Sequence, residues 1–181
     1  MNKIVAVVGM CGSGKSVATE LFEKHGFQKV YFGALTFEIL AERGIERTAD
    51  TERMVREELR ASGDKGIYAK KYLPKIRELY KNGNVVIESL YSWSEFKYIK
   101  EEFGDAFQVL SIVTDAPLRY SRLQAREYRG QTVEESIKRD YTEIENIEKG
   151  GPISIADHFI TNNDSVRKFK REVEKYIKSL K

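Results

Sequence analysis

Residues 9–16 of the chain read Gly9-Met10-Cys11-Gly12-Ser13-Gly14-Lys15-Ser16. This stretch matches the pattern G-x-x-x-x-G-K-[S/T], in which a glycine-rich loop joins a strand to a helix. The preceding segment, Ile4–Val8, is continuously apolar, as in a strand that is buried on both faces. Residues 16–25 carry apolar side chains at helical spacing, and Gly26 ends that helix. The stretch and its flanks therefore predict a phosphate-binding loop, or P-loop.

Each residue type in this loop has a chemical reason. Glycines at positions 9, 12 and 14 let backbone N–H groups turn toward a polyphosphate without a Cβ in the way. The following helix directs its positive dipole end at the same anion. We expect Lys15 to reach the β- and γ-phosphates and the Ser16 hydroxyl to bind Mg²⁺. The residues predicted to bind ATP or a related triphosphate are Gly9, Met10, Cys11, Gly12, Ser13, Gly14, Lys15 and Ser16.

Cys11 is the only cysteine in the chain. A single cysteine excludes a disulfide framework and fits a reducing compartment, so we expect the protein in the cytoplasm. A thiol beside a positive helix end is a candidate for oxidation, but a small residue that fits the loop is the simpler interpretation. His25 and His158 have no partners at ligand spacing, so we expect structural roles for both and no zinc site.

Composition limits the class of protein. The 181 residues fit a single domain, since domains have roughly 100–200 residues. Hydrophobic residues make up 41% and charged residues 33%, which excludes disordered and fibrous chains. No apolar run approaches the roughly 18 residues that span a bilayer, so we expect no membrane partner. The net charge of +3 arises from interspersed charges, so we expect no nucleic-acid partner either.

Short apolar runs alternate with longer helical patterns along the chain. Further strands are predicted at 28–32, 85–87, 107–114 and 158–161, and helices at 36–81 with interruptions, 92–103, 115–126, from 132 and from 164. Ser92 and Thr132 each begin a capping box. Pro74 is expected to break or kink its helix, and Gly150-Gly151-Pro152 to stop the helix before it. This alternation predicts an α/β fold with a five-stranded parallel sheet between helical layers over residues 1–181.

Motifs of two other nucleotide-binding classes are absent from the sequence. It has neither the Asn-Lys-x-Asp element of guanine-specific GTPases nor the Leu-Ser-Gly-Gly-Gln signature of ABC-type ATPases. Its informative stretches beyond the loop are Val85-Val86-Ile87-Glu88-Ser89-Leu90, Arg119-Tyr120-Ser121-Arg122-Leu123-Gln124-Ala125-Arg126, Lys138-Arg139-Asp140-Tyr141 through Glu143, and Ala156-Asp157-His158-Phe159-Ile160-Thr161-Asn162. On these stretches and the loop, the chain resembles the nucleoside monophosphate kinase and dephospho-CoA kinase superfamily. Within that superfamily it is most similar to an archaeal family described as adenylate-kinase-related.

The resemblance implies a three-layer P-loop NTPase fold with a helical acceptor-binding insert at 36–83 and a short lid at 119–139. It places Asn162 in the loop on the adenine side. It also implies that Glu88, at the end of the third strand, helps to hold Mg²⁺ or orients the acceptor. Related kinases usually have Asp at that position, and glutamate is longer by one methylene. The alternative for Glu88 is a strand-end carboxylate without a catalytic role.

Arginines recur at spacings of three and four in the predicted lid, at positions 119, 122, 126 and 129. One helix face and its exit would thus present guanidinium groups, which bind the equatorial oxygens of a transferring phosphoryl group. We expect Arg122 and Arg126 to be catalytic and to bind the nucleotide. Arg139 is a candidate to join them, oriented by Asp140. The alternative is a solvated helix with salt bridges.

The predicted acceptor side departs from the related kinases. Residues 31–36 carry no carboxylate after the second strand, and Tyr91 stands where relatives often have an arginine. Phosphate binding on the acceptor would then fall to three arginines that share one face of the insert, Arg53, Arg56 and Arg60. Trp93 and Tyr91 are candidates to stack on a base, although packing in the core is the more common role of such a tryptophan.

Three functions fit these observations. The first is an ATP-dependent kinase that transfers the γ-phosphoryl group to a small phosphorylated acceptor, such as a nucleoside monophosphate or dephospho-CoA. The second is a regulatory or accessory protein that binds nucleotide and hydrolyses ATP slowly. The third is a nucleic-acid kinase or maturation factor, which the balanced charge disfavours. The sequence leaves the acceptor, the preference for ATP or GTP, and the oligomeric state open.

Overall fold

The computed structural model describes residues 2–61, 63–127 and 130–180. The strands are β1 Ile4–Val8, β2 Gln28–Tyr31, β3 Val85–Glu88, β4 Phe107–Val113 and β5 His158–Thr161. The α-helices are α1 Lys15–Lys24, α2 Ala34–Glu42, α3 Ala49–Ala61, α4 Ile67–Asn82, α5 Trp93–Phe103, α6 Ala116–Gln124, α7 Val133–Ile147, α8 Gly150–Ser154 and α9 Val166–Ser179. A short 3₁₀ turn, Gly104–Ala106, precedes β4.

The five strands form one parallel sheet in the order β2-β3-β1-β4-β5. The central strand β1 pairs with β3 on one side and with β4 on the other, and all five of its residues are buried. A strand in this position has no polar face, which explains its continuously apolar sequence. The predicted five-stranded parallel sheet is confirmed.

Helices cover both faces of the sheet. On one face, α1 and α9 pack against β1 through Phe22, Phe169 and Val173. On the other face, α4 and α5 pack through Tyr72 and Ile99. The prediction of a sheet between two helical layers is therefore also confirmed. Among the residues that the structure describes, no helix is both long and apolar enough to cross a membrane.

The helices near Pro74 and Gly150 differ in part from the prediction. Helix α4 continues through Pro74, which lies on the exposed side, where water can satisfy the carbonyl that the proline leaves without a donor. Helix α7 ends at Ile147, before Gly150-Gly151-Pro152, and Glu148 caps it with a left-handed φ of 58°. Residues Gly150-Gly151-Pro152 themselves begin α8, because proline is tolerated in the first turn of a helix.

Candidate active site

The glycine-rich loop follows β1 directly and closes tightly against its neighbours. Gly12 has a φ of 80°, and a Cβ there would lie 2.7 Å from the carbonyl oxygen of Arg119. Gly14 caps α1 with a φ of 104°, and a Cβ there would collide with the amide of Asn162. Since L-residues rarely adopt such φ values, glycine is required at both positions. The strand, loop and helix have the arrangement that the motif predicts.

Lys15 lies folded back along the loop. Its Nζ donates a hydrogen bond to the carbonyl oxygen of Met10 at 2.9 Å. Burial of the ammonium lowers the pKa of Lys15 to about 8, although part of the side chain reaches solvent, and the nearby charge of Lys149 adds to this shift. An anion beside Lys15 would oppose both effects, so the residue is suited to phosphate binding.

Ser16 and Glu88 meet where β3 ends beside α1. The Ser16 hydroxyl donates to Glu88 Oε1 at 3.2 Å, and the Thr19 hydroxyl donates to Oε2 at 3.3 Å. Lys29 Nζ lies 3.8 Å from the same carboxylate. The structure thus brings together the two residues that the sequence assigns to a metal.

This pair fits Mg²⁺, which prefers oxygen ligands and usually retains waters and phosphate oxygens in its coordination shell. One hydroxyl and one carboxylate are sufficient protein ligands for such an ion. The described residues contain no cluster of three or more His, Cys, Asp or Glu side chains that could hold a metal without the nucleotide.

Asn162 follows β5 and supports the loop. Its side-chain nitrogen donates to the carbonyl oxygen of Ser13 at 2.8 Å, and its own backbone carbonyl accepts from Arg122 Nη2 at 2.9 Å. Arg122 Nη1 and Asn162 Oδ1 are buried, and neither has a hydrogen-bond partner among the described residues. Arg122 and Asn162 therefore lie together beside the P-loop, and each has a polar atom that could form a hydrogen bond to a ligand.

The structure separates the arginines that share a helical spacing. Arg119 is buried, forms a salt bridge to Asp140 at 2.7 Å, and donates to the carbonyl oxygen of Cys11 at 3.0 Å. Arg126 lies just beyond the end of α6 and is exposed. Arg129 lies outside the described residues. The prediction that Arg119 lies in one row with the phosphate-binding arginines is therefore wrong, because its side chain joins α6 to α7.

The prediction that Asp140 orients Arg139 is also wrong. Asp140 accepts hydrogen bonds from Arg119 and Tyr120, so it does not orient Arg139. Arg139 instead donates its Nε–H to Glu143, one turn later in α7, at 3.0 Å. The two faces of the helix explain this, because residues one position apart point about 100° apart.

A buried ionic cluster that the sequence did not reveal lies next to the loop. We refer to Cys11, Tyr91, Arg139, Glu143 and Lys149 as the α7 cluster. Lys149 Nζ forms a salt bridge with Glu143, lies 3.9 Å from the sulfur of Cys11, and sits 4.3 Å from the ring centre of Tyr91. The Cys11 sulfur is 3.6 Å from both oxygens of Glu143.

The charges of the α7 cluster support one another. Burial alone would raise the pKa of Glu143, but Lys149 and Arg139 hold it at about 2. Burial alone would lower the pKa of Lys149, but Cys11 and Glu143 raise it above its ordinary value. Both groups are therefore ionised at neutral pH. The sequence signal for this cluster was weak: an Arg–Glu pair four residues apart and a lysine before two glycines.

The residues predicted to bind the acceptor contact other side chains of the protein. Arg53 pairs with Asp50 at 2.9 Å, and Arg56 pairs with the buried Glu52 at 3.3 Å. The side chain of Arg60 lies outside the described part of the structure. Trp93 is half-buried and stacks one face of its ring on Phe96, with ring centres 4.9 Å apart.

Comparison with known proteins places the chain in a family. A family model described as an AAA domain matches residues 5–149. A UPF0200 protein from Thermococcus gammatolerans is 36% identical over 181 residues, covering 98% of this chain and 93% of that protein. The chain belongs to this AAA-domain family and to the UPF0200 proteins. A further UPF0200 protein, from Pyrococcus abyssi, is 33% identical with similar coverage, 98% of this chain and 96% of the relative.

Solved structures of small-molecule kinases share the fold. Shikimate kinase from Acinetobacter baumannii aligns with a TM-score of 0.64 at 16% identity, over 100% of this chain and 96% of that chain. Dephospho-CoA kinase from Campylobacter jejuni aligns with a TM-score of 0.60 at 19% identity, over 99% and 97%. A gluconokinase from Sinorhizobium meliloti aligns with a TM-score of 0.62 at 18% identity, over 99% and 93%. At these identities the likeness establishes the fold, which is that of P-loop kinases.

Proposed function

We propose that this protein is a P-loop phosphotransferase that transfers the γ-phosphoryl group of Mg-ATP to a small phosphorylated acceptor of the nucleoside monophosphate or dephospho-CoA type. The observation that carries the proposal is the meeting of Ser16 and Glu88 beside Lys15, at the carboxyl ends of β1 and β3. Ligands of parallel α/β sheets bind at this edge of the sheet.

The roles follow from the positions of the residues. Backbone N–H groups of the loop and the ammonium of Lys15 would bind the β- and γ-phosphates, and Ser16 and Glu88 would hold Mg²⁺. When bound, Mg²⁺ would neutralise charge on the phosphate oxygens. Arg122 and Asn162, which are joined by a hydrogen bond, would contact the nucleotide, and Arg126 would approach from the lid at 119–139. Catalysis would then consist of positioning and charge stabilisation.

The acceptor is proposed to be anionic because the surroundings of the loop are cationic. Lys15, Arg139 and Lys149 lie around a single carboxylate, Glu143. Further contacts to the acceptor would come from the insert at 36–83. Within it, α2 and α3 pack on each other, whereas α4 packs on the sheet.

The test is a screen for acceptor-dependent release of ADP. Mg-ATP would be incubated with each of the nucleoside monophosphates and with dephospho-CoA, using wild-type protein and Lys15→Ala side by side. The proposal predicts rapid turnover with one acceptor class and its loss in Lys15→Ala. ADP release that no acceptor increases would contradict it. Turnover that survives Lys15→Ala would come from a contaminant.

A nucleotide-binding accessory protein with slow ATPase activity is the second candidate. It is favoured by the pairing of Arg53 and Arg56 with acidic neighbours in α3, which leaves their guanidinium groups engaged. A partner that is captured from extract only in the presence of ATP, together with slow hydrolysis that no acceptor stimulates, would support this function. Acceptor-dependent turnover would exclude it.

A further inference from the structure

Lys149 is an unusually buried lysine whose position is set by the turn after α7. Its side chain is only 2% exposed. The preceding residue, Glu148, adopts a left-handed φ of 58°, and the N–H of Lys149 donates to the carbonyl oxygen of Glu143 at 3.2 Å. A left-handed conformation at a non-glycine residue costs free energy, as does the removal of an ammonium from water. The fold therefore sustains two unfavourable features to place one cation.

The turn is also fixed from outside. Lys65 forms a salt bridge with Glu148 at 2.8 Å, and the backbone carbonyl of Lys65 accepts a hydrogen bond from the Ser92 hydroxyl at 2.6 Å. A Cβ on Gly151 would lie 2.9 Å from the ring of Trp93. Contacts from the α3–α4 connection and from the segment after β3 thus hold the Lys149 turn in place.

The position of Lys149 lies between the two sides of the proposed reaction. On one side its Nζ is near Cys11 of the phosphate-binding loop, and on the other it covers the ring of Tyr91, which follows β3. It is also close enough to Lys15 for its charge to lower the pKa of that residue. A group bound between the loop and the end of β3 would therefore lie within reach of Lys149.

Positive charge exceeds negative charge near the loop. Three cations, Lys15, Arg139 and Lys149, surround one carboxylate, Glu143, so the group carries a surplus of positive charge. Lys149 is buried whereas Lys15 and Arg139 are partly exposed, and a surplus of cations in such a partly buried site is unfavourable. A phosphate beside the loop would compensate it, because phosphate accepts hydrogen bonds from several cations at once.

We propose that Lys149 is a phosphate-binding residue, which pairs with Glu143 in this structure and which moves to the terminal phosphate of a bound nucleoside triphosphate. This inference rests on the proposed function, because it requires a triphosphate in the loop. Glu143 keeps Arg139 as a partner when Lys149 leaves, so the carboxylate is not left uncompensated. A diphosphate has no terminal γ-group and leaves Lys149 with Glu143.

Equilibrium binding of Mg²⁺ with a non-hydrolysable ATP analogue, and separately with ADP, tests this proposal. In Lys149→Met we expect the affinity for the triphosphate analogue to fall about tenfold or more, as for a lost hydrogen bond to a charged group, with ADP affinity within about twofold of wild type. Lys175→Met, a substitution of an exposed lysine in α9, is the matched control and should bind both nucleotides normally. Lys15→Ala should weaken both.

Glu143→Gln separates a phosphate-binding role from a structural one. If the Glu143–Lys149 pair only stabilises the fold, Glu143→Gln and Lys149→Met should both weaken binding of the triphosphate analogue. If Glu143 competes with phosphate for Lys149, Glu143→Gln should bind the triphosphate analogue at least as tightly as wild type. Thermal unfolding of each single variant shows whether it is folded, and the double variant Lys149→Met/Glu143→Gln, which removes both charges, serves as the reference without a stranded charge.

The results distinguish failure of the proposed role of Lys149 from failure of the phosphotransferase proposal. An unchanged ratio of triphosphate to diphosphate affinity in folded Lys149→Met would overturn the role of Lys149 and leave the phosphotransferase proposal standing. Equal weakening in Glu143→Gln and Lys149→Met would overturn it as well. Failure of wild-type protein to bind either nucleotide would overturn the phosphotransferase proposal and, with it, the role of Lys149.

Discussion

The surroundings of Lys15 change the chemistry of its side chain. Its ammonium is buried near Lys149 and donates a hydrogen bond to the carbonyl oxygen of Met10, and its pKa falls to about 8. A polyphosphate in the loop would stabilise the charged form and raise the pKa of Lys15. The proposed nucleotide binding would therefore be coupled to the protonation of this lysine.

We predict that the affinity for a triphosphate analogue falls as the pH rises above about 8. Above the pKa of Lys15, binding of the analogue requires the uptake of a proton by this residue, so the affinity decreases by up to about tenfold per pH unit. Calorimetry at pH 8.5 in two buffers of different ionisation enthalpy measures this uptake. In Lys15→Arg, whose side chain stays charged, proton uptake should vanish, and uptake equal to wild type would contradict the assignment.

A second prediction concerns Glu88. Glu88→Gln removes the carboxylate charge but retains an oxygen near the Ser16 hydroxyl, so we expect the Mg²⁺ concentration for half-maximal nucleotide binding to rise about tenfold or more. Titration of Mg²⁺ at a fixed concentration of the ATP analogue measures the change. The matched control is Glu20→Gln on the exposed face of α1. Identical Mg²⁺ dependence in Glu88→Gln and wild type would show that Glu88 does not hold the metal.

At the scale of elements, α6 and α7 are joined by a buried charge pair. The side chains of Arg119 and Asp140 are 7% and 5% exposed, and two hydrogen bonds connect the guanidinium to the carboxylate. Removing one partner of such a pair strands the other charge in a poorly solvated site. The pair therefore fixes how the proposed lid helices meet, and through the Cys11 carbonyl it also supports the loop.

The third prediction is a double-mutant cycle on this pair. Arg119→Met alone should lower the free energy of unfolding by about 3–5 kcal/mol, because it leaves Asp140 buried without its partner. Arg119→Met/Asp140→Asn should recover a large part of that loss, since the second change removes the stranded charge. Urea unfolding of wild type, both single variants and the double variant gives the coupling. Additive losses would mean that the two residues stabilise the protein independently.

Elements with local signals were predictable from the sequence, and those set by tertiary contacts were not. The capping boxes at Ser92 and Thr132 are observed, because each depends on residues three positions apart. The position of Lys149 depends on a left-handed residue that is not glycine and on packing of Gly151 against Trp93, which no local pattern signals. The partner of Asp140 depends on how α6 crosses α7.

At the scale of the whole molecule, the central strand and its loop determine the architecture. The buried β1 pairs on both sides, and its carboxyl end delivers the loop next to Glu88 at the end of β3. This placement was predictable because a parallel sheet gathers the carboxyl ends of its strands at one edge. The acceptor side was not predictable, since it depends on which charged residues of α2, α3 and α7 pair with one another. The assignments of Arg122, Arg126 and Asn162 to nucleotide binding remain predictions.

The most direct test of phosphoryl transfer follows the fate of the γ-phosphate. ATP labelled in that group would be incubated with protein, Mg²⁺ and the acceptor that gives the fastest ADP release, and the products would be separated by chromatography. We predict that label appears in the acceptor in amounts equal to ADP, and that Lys15→Ala yields neither labelled acceptor nor labelled free phosphate. Label that appears only as free phosphate, with every acceptor and without one, would contradict it.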